Sequence, residues 1–245
     1  MLLLAGVAAV ALGACATNHT SMSQPDFSGQ STAQSASALG QLMARYKSNP
    51  RDKVTIIYYA AALRAAGQPD QAVSVIEAGL ALYKSDVDLK VAYAKALSAA
   101  GRFDQALNVI EDAIDPASPD WNALLVKGAI LDQSGRNEEA RAIYTQALLT
   151  SPNSPSLEAN LGLSYAMTND LGQAEAHLRK AIGMRGASSQ VRQNLALVVG
   201  LQGRFDEAKR MFAADLSPDQ VDANMAYILA LLTQQNRWDL IKSAN

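Results

Sequence analysis

The side chains that could support catalysis or metal binding are few in this chain. Its 245 residues include one cysteine, Cys15, and two histidines, His19 and His177. A disulfide needs two cysteines and a Cys/His zinc site needs several ligands, so the sequence excludes both within one chain. It contains no glycine-rich phosphate loop, and we find no grouping of a nucleophile, a base and an orienting residue. We therefore expect no enzymatic activity, no cofactor and no metal site.

The single cysteine follows an apolar run at the amino terminus. Residues 2–12 have the sequence LLLAGVAAVAL, which is shorter than the roughly 20 residues that a membrane-spanning helix needs. A run of this length fits the apolar core of a secretory signal peptide, although the usual basic residues before that core are missing. The sequence therefore predicts export, with a start codon that lies upstream of Met1.

The end of this run, Leu12-Gly13-Ala14-Cys15, resembles the lipobox of bacterial lipoproteins, in which an aliphatic and two small residues precede the cysteine. The resemblance implies that residues 1–14 are a signal peptide and that Cys15 becomes the first mature residue, carrying a diacylglycerol thioether. Two or three acyl chains hold a protein stably at a membrane. Because Ala16 follows instead of aspartate, the analogy favours the outer membrane, facing the periplasm. The alternative is an ordinary buried cysteine beside a small-residue cleavage site.

Residues 15–35 separate the cysteine from the rest of the chain. They are rich in Ser, Thr and Gln and show no apolar periodicity, a composition typical of flexible segments. About twenty flexible residues have a root-mean-square reach of roughly 25 Å. We predict a tether, with His19 exposed to solvent within it.

From residue 36 onward the chain repeats with a period of about 34 residues. Small residues recur at three positions of the period, and alanine makes up 45 of the 245 residues. Glycine and asparagine adopt a left-handed backbone readily, so the first series predicts turns at helix ends. The other two series predict points where paired helices approach closely. The three series are Gly67, Gly101, Gly135, Asn169, Gly203; then Ala38, Ala72, Ala106, Ala140, Ala174, Ala208; then Ala60, Ala94, Gly128, Gly162, Ala196, Ala230.

This pattern resembles the tetratricopeptide repeat (TPR), a helix-turn-helix unit of about 34 residues. The best match is residues 121–154, which contain Trp121, Gly128, Tyr144 and Pro152 at family positions. The resemblance covers residues 36–245 and implies an all-α TPR superhelical solenoid of antiparallel helix pairs. It would comprise a half repeat, about five full repeats from residue 53, and a shortened C-terminal unit with a turn at residues 235–238.

Three Ser-Pro pairs in this region predict helix starts. Ser118, Ser154 and Ser217 each precede a proline, as an N-cap precedes the first helical residue. Gln220, three residues after Ser217, completes a possible capping box. In the fifth repeat Asp215 replaces the small residue expected at the third packing position, which argues against tight packing there.

TPR arrays bind peptides or partner helices on the concave face, which the first helix of each pair lines. The resemblance implies a partner-binding groove with an apolar stripe toward its C-terminal half, which suits an extended segment or an amphipathic helix. The alternative is that several of these apolar side chains only complete the packing between repeats. Lys95 alone does not recreate the Lys and Asn clamp of TPRs that hold a C-terminal carboxylate. The lining residues are Ile57, Arg64, Val91, Lys95, Leu125, Asp132, Leu163, Met167, Gln193, Leu197, Leu201, Tyr227 and Leu231.

Charge and composition narrow the class of partner. The chain has 23 acidic and 21 basic residues and a net charge of −2, so no electrostatic attraction to nucleic acid is expected.

A TPR lipoprotein of this size resembles three envelope families: the lipoprotein of the tight-adherence (Tad/Flp) pilus, the pilotin of type IV pili, and scaffolds for peptidoglycan enzymes or outer-membrane assembly. The opening LLLAGVAAVALGACAT looks most like the first. That resemblance implies a pilus secretin as the protein partner.

Overall fold

The computed structural model describes residues 32–243, with side chains from residue 35 to residue 234. This part of the chain forms α-helices and no strands, which confirms the all-α prediction. The predicted signal peptide, Cys15 and His19 lie outside the described residues. The helices are α1 (Thr32–Ser48), α2 (Lys53–Ala65), α3 (Pro69–Leu82), α4 (Val87–Ala99), α5 (Phe103–Ala113), α6 (Trp121–Gln133), α7 (Asn137–Thr150), α8 (Pro155–Met167), α9 (Leu171–Ile182), α10 (Ser189–Leu201), α11 (Phe205–Ala213) and α12 (Pro218–Ser243).

Side chains at one position of the repeat cap the first helices of successive hairpins. Each capping oxygen accepts a hydrogen bond from a backbone N–H in the first turn, where no intrahelical partner exists. The caps are Asp52, Asp86, Asp120 and Ser154. The regular spacing of these residues therefore determines where α2, α4, α6 and α8 begin.

Of the three helix starts predicted from Ser-Pro pairs, those at Ser154 and Ser217 are confirmed and that at Ser118 is wrong. Ser154 caps α8, and the backbone N–H of Ser217 donates to Oε1 of Gln220 at 3.0 Å, one half of the predicted capping box. Ser118 is not the cap of α6. The cap is Asp120, two residues after Ser118. The carboxylate of Asp120 accepts hydrogen bonds from the first free N–H groups of the helix, which therefore begins at Trp121.

Each helix hairpin turns through one residue with a positive φ, as predicted. Asn169 has a φ of 62°, and the equivalent glycines have values between 72° and 83°. At the first of these turns, the N–H of Gly67 donates to the carbonyl of Arg64, and that of Gln68 donates to the carbonyl of Leu63. These bonds satisfy carbonyls that the end of α2 would otherwise leave free.

The described chain divides into two compact units at Pro152. In unit 1, α1 packs on α2, and three helix hairpins follow: α2 with α3, α4 with α5, and α6 with α7. The first helices α2, α4 and α6 also contact one another in succession. Small residues allow the hairpins to close. Ala72, Ala106 and Ala140 are fully buried, and a Cβ at Gly128 would overlap the ring of Tyr144.

Unit 2 contains two hairpins, α8 with α9 and α10 with α11, followed by α12. A Cβ at Gly162 would lie 3.0 Å from the carbonyl oxygen of Ala174, and one at Gly200 would lie 2.5 Å from Cδ1 of Ile228. Both glycines thus permit close helix contacts. Arg192 forms two hydrogen bonds with the Asp215 carboxylate at 2.6 and 2.9 Å, so an ion pair occupies the position where a small residue was expected.

The predicted C-terminal helix pair is wrong. Residues 218–243 form one helix, with no turn at residues 235–238. The segment Gln235-Asn236-Arg237-Trp238 contains neither Gly nor Pro, and Asn236, which can adopt a left-handed backbone, stays within the helix. Ala230, the last member of its small-residue series, is exposed. The helix α1 also begins earlier than expected, inside the predicted tether.

Among residues 32–243, none of the helices combines the length and the apolar content needed to cross a membrane.

Candidate functional site

The apolar groove positions predicted in unit 1 lie inside the protein. Ile57 on α2, Val91 on α4 and Leu125 on α6 are 1%, 6% and 8% exposed. Because α2, α4 and α6 contact one another, these side chains fill the space between the first helices. They leave little apolar surface for a partner on this face of unit 1.

Asp132, another predicted groove residue, is bound within its own hairpin. Its Oδ2 accepts a hydrogen bond from the Tyr144 hydroxyl at 2.9 Å, and its Oδ1 accepts one from Asn137 Nδ2 at 2.8 Å. Burial holds the pKa of the Tyr144 hydroxyl well above its ordinary value, so this group remains a donor. The carboxylate joins α6 to α7, and its two oxygens are engaged there.

The two predicted cations of unit 1 lie on neighbouring helices, α4 and α2. Lys95 on α4 is 9% exposed, and Arg64 on α2 is half-buried. Burial and, secondly, the charge of Arg64 lower the pKa of the Lys95 amine to about 7. Burial also lowers the pKa of Arg64, to about 10. This face of unit 1 therefore carries positive charge in a poorly solvated position.

The predicted groove residues of unit 2 are more open. Met167 on α8 and Tyr227 on α12 are 40% and 36% exposed. Half-buried groove residues lie on the same helices and on α10, which contacts both α8 and α12. These are Leu163, Gln193, Leu197, Leu201 and Leu231. We call the seven residues the α8–α10–α12 face.

Six of the seven side chains of the α8–α10–α12 face are aliphatic or aromatic, the seventh is Gln193, and none is charged. Leu197 and Leu201 pack against a core cluster of Ala196, Phe212, Val221 and Ile228, so their positions are supported from beneath. Partial burial raises the pKa of Tyr227, which keeps its hydroxyl neutral. Such a surface buries apolar partner atoms without the cost of desolvating charges.

The charged side chain of α8 is paired with side chains of the second helix of its hairpin, α9. Glu158 on α8, whose side chain is 1% exposed, accepts hydrogen bonds from His177 Nδ1 at 2.8 Å and Lys180 Nζ at 2.6 Å. The His177 ring also stacks on Tyr165, with centroids 5.4 Å apart. His177 is thus a partly buried structural residue. The neighbouring Arg179 and Lys180 side chains remain 48% and 59% exposed.

The sequence contains a signal for these ion pairs that composition and periodicity did not reveal. Opposite charges recur at a nearly constant separation along the chain: Lys90 with Asp112, Glu158 with Lys180, and Arg192 with Asp215. In each pair the first member lies on a first helix, and the second lies near or just after the end of the following helix. Charge pairing at this separation joins the two helices of one repeat.

Family models identify the repeats. Two models of the tetratricopeptide repeat match residues 63–128 and residues 131–191, which together make up just over half of the chain. No curated protein matches the sequence.

Solved structures share the fold at low identity. A thermophilic TPR protein of Thermus thermophilus is 21% identical, with a TM-score of 0.62 over 71% of this chain and 97% of that one. A tetratricopeptide repeat protein of Parabacteroides merdae is 11% identical, with a TM-score of 0.68 over 80% and 78%. PilW, a widely conserved type IV pilus biogenesis factor, is 17% identical, with a TM-score of 0.59 over 80% and 91%. Together with the family matches, this likeness of fold shows that the chain belongs to the tetratricopeptide-repeat proteins.

Proposed function

We propose that this chain is a lipid-anchored periplasmic adaptor that binds a protein partner on the α8–α10–α12 face. Tetratricopeptide repeats generally bind proteins or peptides. The observation that carries the proposal is the contrast between the two units. The apolar groove residues of unit 1 are buried, whereas Met167 and Tyr227 of unit 2 are more than a third exposed on an uncharged face. Apolar side chains that cluster on one exposed face, unlike apolar side chains that are exposed singly, are typical of a binding surface.

The shape of the face favours an amphipathic partner helix or an extended apolar segment. Its apolar side chains come from three neighbouring helices, so they form a surface wider than one helical stripe. Gln193 adds a polar group that can donate and accept hydrogen bonds at the edge of such a segment. A partner would anchor apolar residues between α10 and α12 and keep its polar side in water.

The proposed place of action is the outer membrane, with Cys15 as the lipid attachment site. This part rests on the resemblance of Leu12-Gly13-Ala14-Cys15 to a lipobox and on Ala16 after the cysteine. The proposed system is the Tad/Flp pilus, with its secretin as the partner. The opening LLLAGVAAVALGACAT supports it, and the fold of PilW, described as a type IV pilus biogenesis factor, is compatible with it.

Co-purification from detergent-solubilised envelopes tests the proposed identity of the partner. We expect the full-length chain to recover the pilus secretin, and Tyr227→Glu to lose it because a carboxylate would enter the apolar contact. Leu229→Glu is the matched control. It places the same charge on the same helix at a residue that is 52% exposed and outside the face. Recovery of peptidoglycan enzymes without any pilus protein would contradict the pilus assignment and favour a cell-wall scaffold.

Membrane fractionation of Cys15→Ser tests the anchor. The variant should move from the membrane to the soluble fraction, because serine cannot form the thioether. If Cys15→Ser remains in the membrane fraction, the lipoprotein assignment is wrong.

A further inference from the structure

The helix α12 lacks the second helix that completes each preceding repeat. The helices α2, α4, α6, α8 and α10 are each followed by a helix that packs on them, whereas α12 contacts only α10 and α11 in the described chain. In the first helices, Ala60, Ala94 and Ala196 of the small-residue series are at most 2% exposed. Ala230, the member of that series on α12, is exposed. One side of α12 thus lies open where a helix packs in the preceding repeats.

The open side of α12 is largely apolar. Ile228 is fully buried in the core cluster with Ala196 and Phe212, and the residues opposite it are exposed, including Leu229 at 52%. A terminal helix that stays in water needs a polar outer surface, so this composition favours a surface that another helix covers. Residues three and four apart lie on one side of a helix. We define the outer side of α12 as Ala226, Leu229, Ala230 and Thr233.

The continuity of α12 prevents its own C-terminal half from covering this side. The helix has 26 residues, twice the 13 of each preceding first helix, and spans about 39 Å. Because it is unbroken from Pro218 to Ser243, residues 231–243 run away from the outer side and do not fold back on it. The same segment of a second copy is free to lie there. In the sequence, Arg237 and Leu240 continue the spacing of three and four residues that begins at Ala226.

The charges along α12 favour an antiparallel arrangement of two such helices. Residues 218–230 contain the acids Asp219 and Asp222 and no base, whereas residues 231–243 contain Arg237 and Lys242 and one acid, Asp239. Antiparallel helices bring these unlike halves together, and parallel helices would bring like halves together. Asp222 is 72% exposed and lies 3.5 Å from Lys209 Nζ, a surface ion pair that contributes little by itself.

We propose that two copies of this chain pair through α12, with the two helices antiparallel. Each copy supplies the helix that the last repeat of the other lacks. A two-fold axis beside Thr233 lets the outer side of one helix meet the C-terminal half of the other, which gives a closed dimer with two identical contacts. The pairing is separate from the proposed function, since the outer side shares no residue with the α8–α10–α12 face.

Disulfide crosslinking in intact cells tests the pairing with the full-length chain. Thr233→Cys places a thiol beside the two-fold axis, and Thr145→Cys on α7 is the matched control. Both threonines are exposed, and each donates its hydroxyl to the carbonyl four residues earlier. The wild-type chain, whose only cysteine is Cys15, is the blank. We expect oxidation to give a reducible dimer in Thr233→Cys only.

Two results of the crosslinking would overturn the proposal. One is an equal yield of dimer from Thr233→Cys and Thr145→Cys. The other is an adduct of Thr233→Cys with a different protein in place of the dimer, which would assign the outer side of α12 to that protein.

Sedimentation equilibrium measures the strength of the pairing without detergent when the chain carries Cys15→Ser. This chain should reach twice the mass of one copy. Leu229→Glu should weaken the pairing roughly tenfold or more, because each copy brings a carboxylate into the apolar contact. Leu149→Glu, at a residue on α7 that is 82% exposed, is the matched control and should pair normally. Circular dichroism checks that both variants fold.

The sedimentation result is independent of the secretin experiment, in which Leu229→Glu still recovers the secretin. A chain that stays monomeric up to about 100 μM, or a Leu229→Glu chain that pairs as tightly as the Leu149→Glu chain, would overturn the pairing and leave the proposed function standing.

Discussion

The hydroxyl of Tyr144 donates a hydrogen bond to Oδ2 of Asp132 at 2.9 Å, across the hairpin formed by α6 and α7. The ring that carries this hydroxyl covers Gly128, where a Cβ would overlap it. One tyrosine thus satisfies a buried carboxylate and fills the crossing point of two helices. This relationship removes Asp132 from the list of free groove residues and makes it part of the repeat core.

Tyr144→Phe should lower the free energy of unfolding by roughly 1–2 kcal/mol, because the change leaves a buried carboxylate oxygen without this donor. Urea denaturation monitored by circular dichroism measures the effect. Tyr93→Phe is the control. The Tyr93 hydroxyl donates to Glu77 at an exposed site, so water can replace it and the loss should stay below about 0.5 kcal/mol. Equal losses in the two variants would contradict the structural role of Asp132.

Gly128→Ala should destabilise the chain by about 1–3 kcal/mol, since the added methyl group overpacks against the Tyr144 ring. Gly40→Ala on α1 is the comparison, because a Cβ at Gly40 meets nothing within 4 Å. That substitution should be neutral or stabilise by up to about 1 kcal/mol, since alanine restricts the unfolded chain. Thermal unfolding of both variants measures whether each substitution lowers or raises the stability of the protein. A stable Gly128→Ala protein would contradict the close packing of this hairpin.

Lys95→Met should stabilise the protein at low pH and have no effect at high pH. The folded pKa of about 7 lies below the unfolded value of 10.5. Below pH 7 the amine is charged in both states, and the folded state bears the cost of its burial. This cost declines between pH 7 and 10.5 and is absent above that range. We expect Lys95→Met to gain roughly 2–4 kcal/mol at about pH 6.

Denaturant titrations at several pH values measure this gain, with Lys84→Met as the control for removing one exposed charge. A gain that does not change between about pH 6 and pH 11 would show that ordinary packing, and not the buried charge, explains the effect.

Glu158→Gln should destabilise unit 2 by roughly 1–3 kcal/mol, because it breaks the charge pairing with His177 and Lys180 at a side chain that is almost fully buried. Glu139→Gln is the matched control. Glu139 pairs with Arg136 at an exposed surface, where an ion pair contributes little. Hydrogen exchange of α8 and α9 should rise in the first variant only. Unchanged exchange in Glu158→Gln would mean that this ion pair does not hold the hairpin together.

The regular features of the fold could be predicted from the sequence because they depend on backbone chemistry. A left-handed turn requires Gly or Asn, and Gly67 and Asn169 both have the predicted positive φ. The end of α12 could not be predicted in the same way. The resemblance to a shortened unit suggested a turn near residue 236, but Asn236 stays helical and α12 continues to Ser243.

The candidate site was predicted only in part, because periodicity identifies the face of a helix but not the depth at which a side chain lies. Val91 and Leu197 occupy groove positions in their repeats, yet Val91 is buried and Leu197 is partly open. The lowered pKa of Lys95 could not be predicted from the sequence either. Its lowered pKa arises from burial and from Arg64, a residue distant in the sequence that only the packing of α2 on α4 brings near.

The central claim is that a protein partner docks on the α8–α10–α12 face, and photocrosslinking in living cells tests it most directly. A photoreactive phenylalanine analogue would replace Tyr227, and the same analogue would replace Leu149, an exposed residue on α7, as the control. Mass spectrometry would identify each adduct. The account predicts that the probe at position 227 captures the pilus secretin and that the probe at position 149 does not. No adduct at position 227, or the same adducts at both positions, would contradict it.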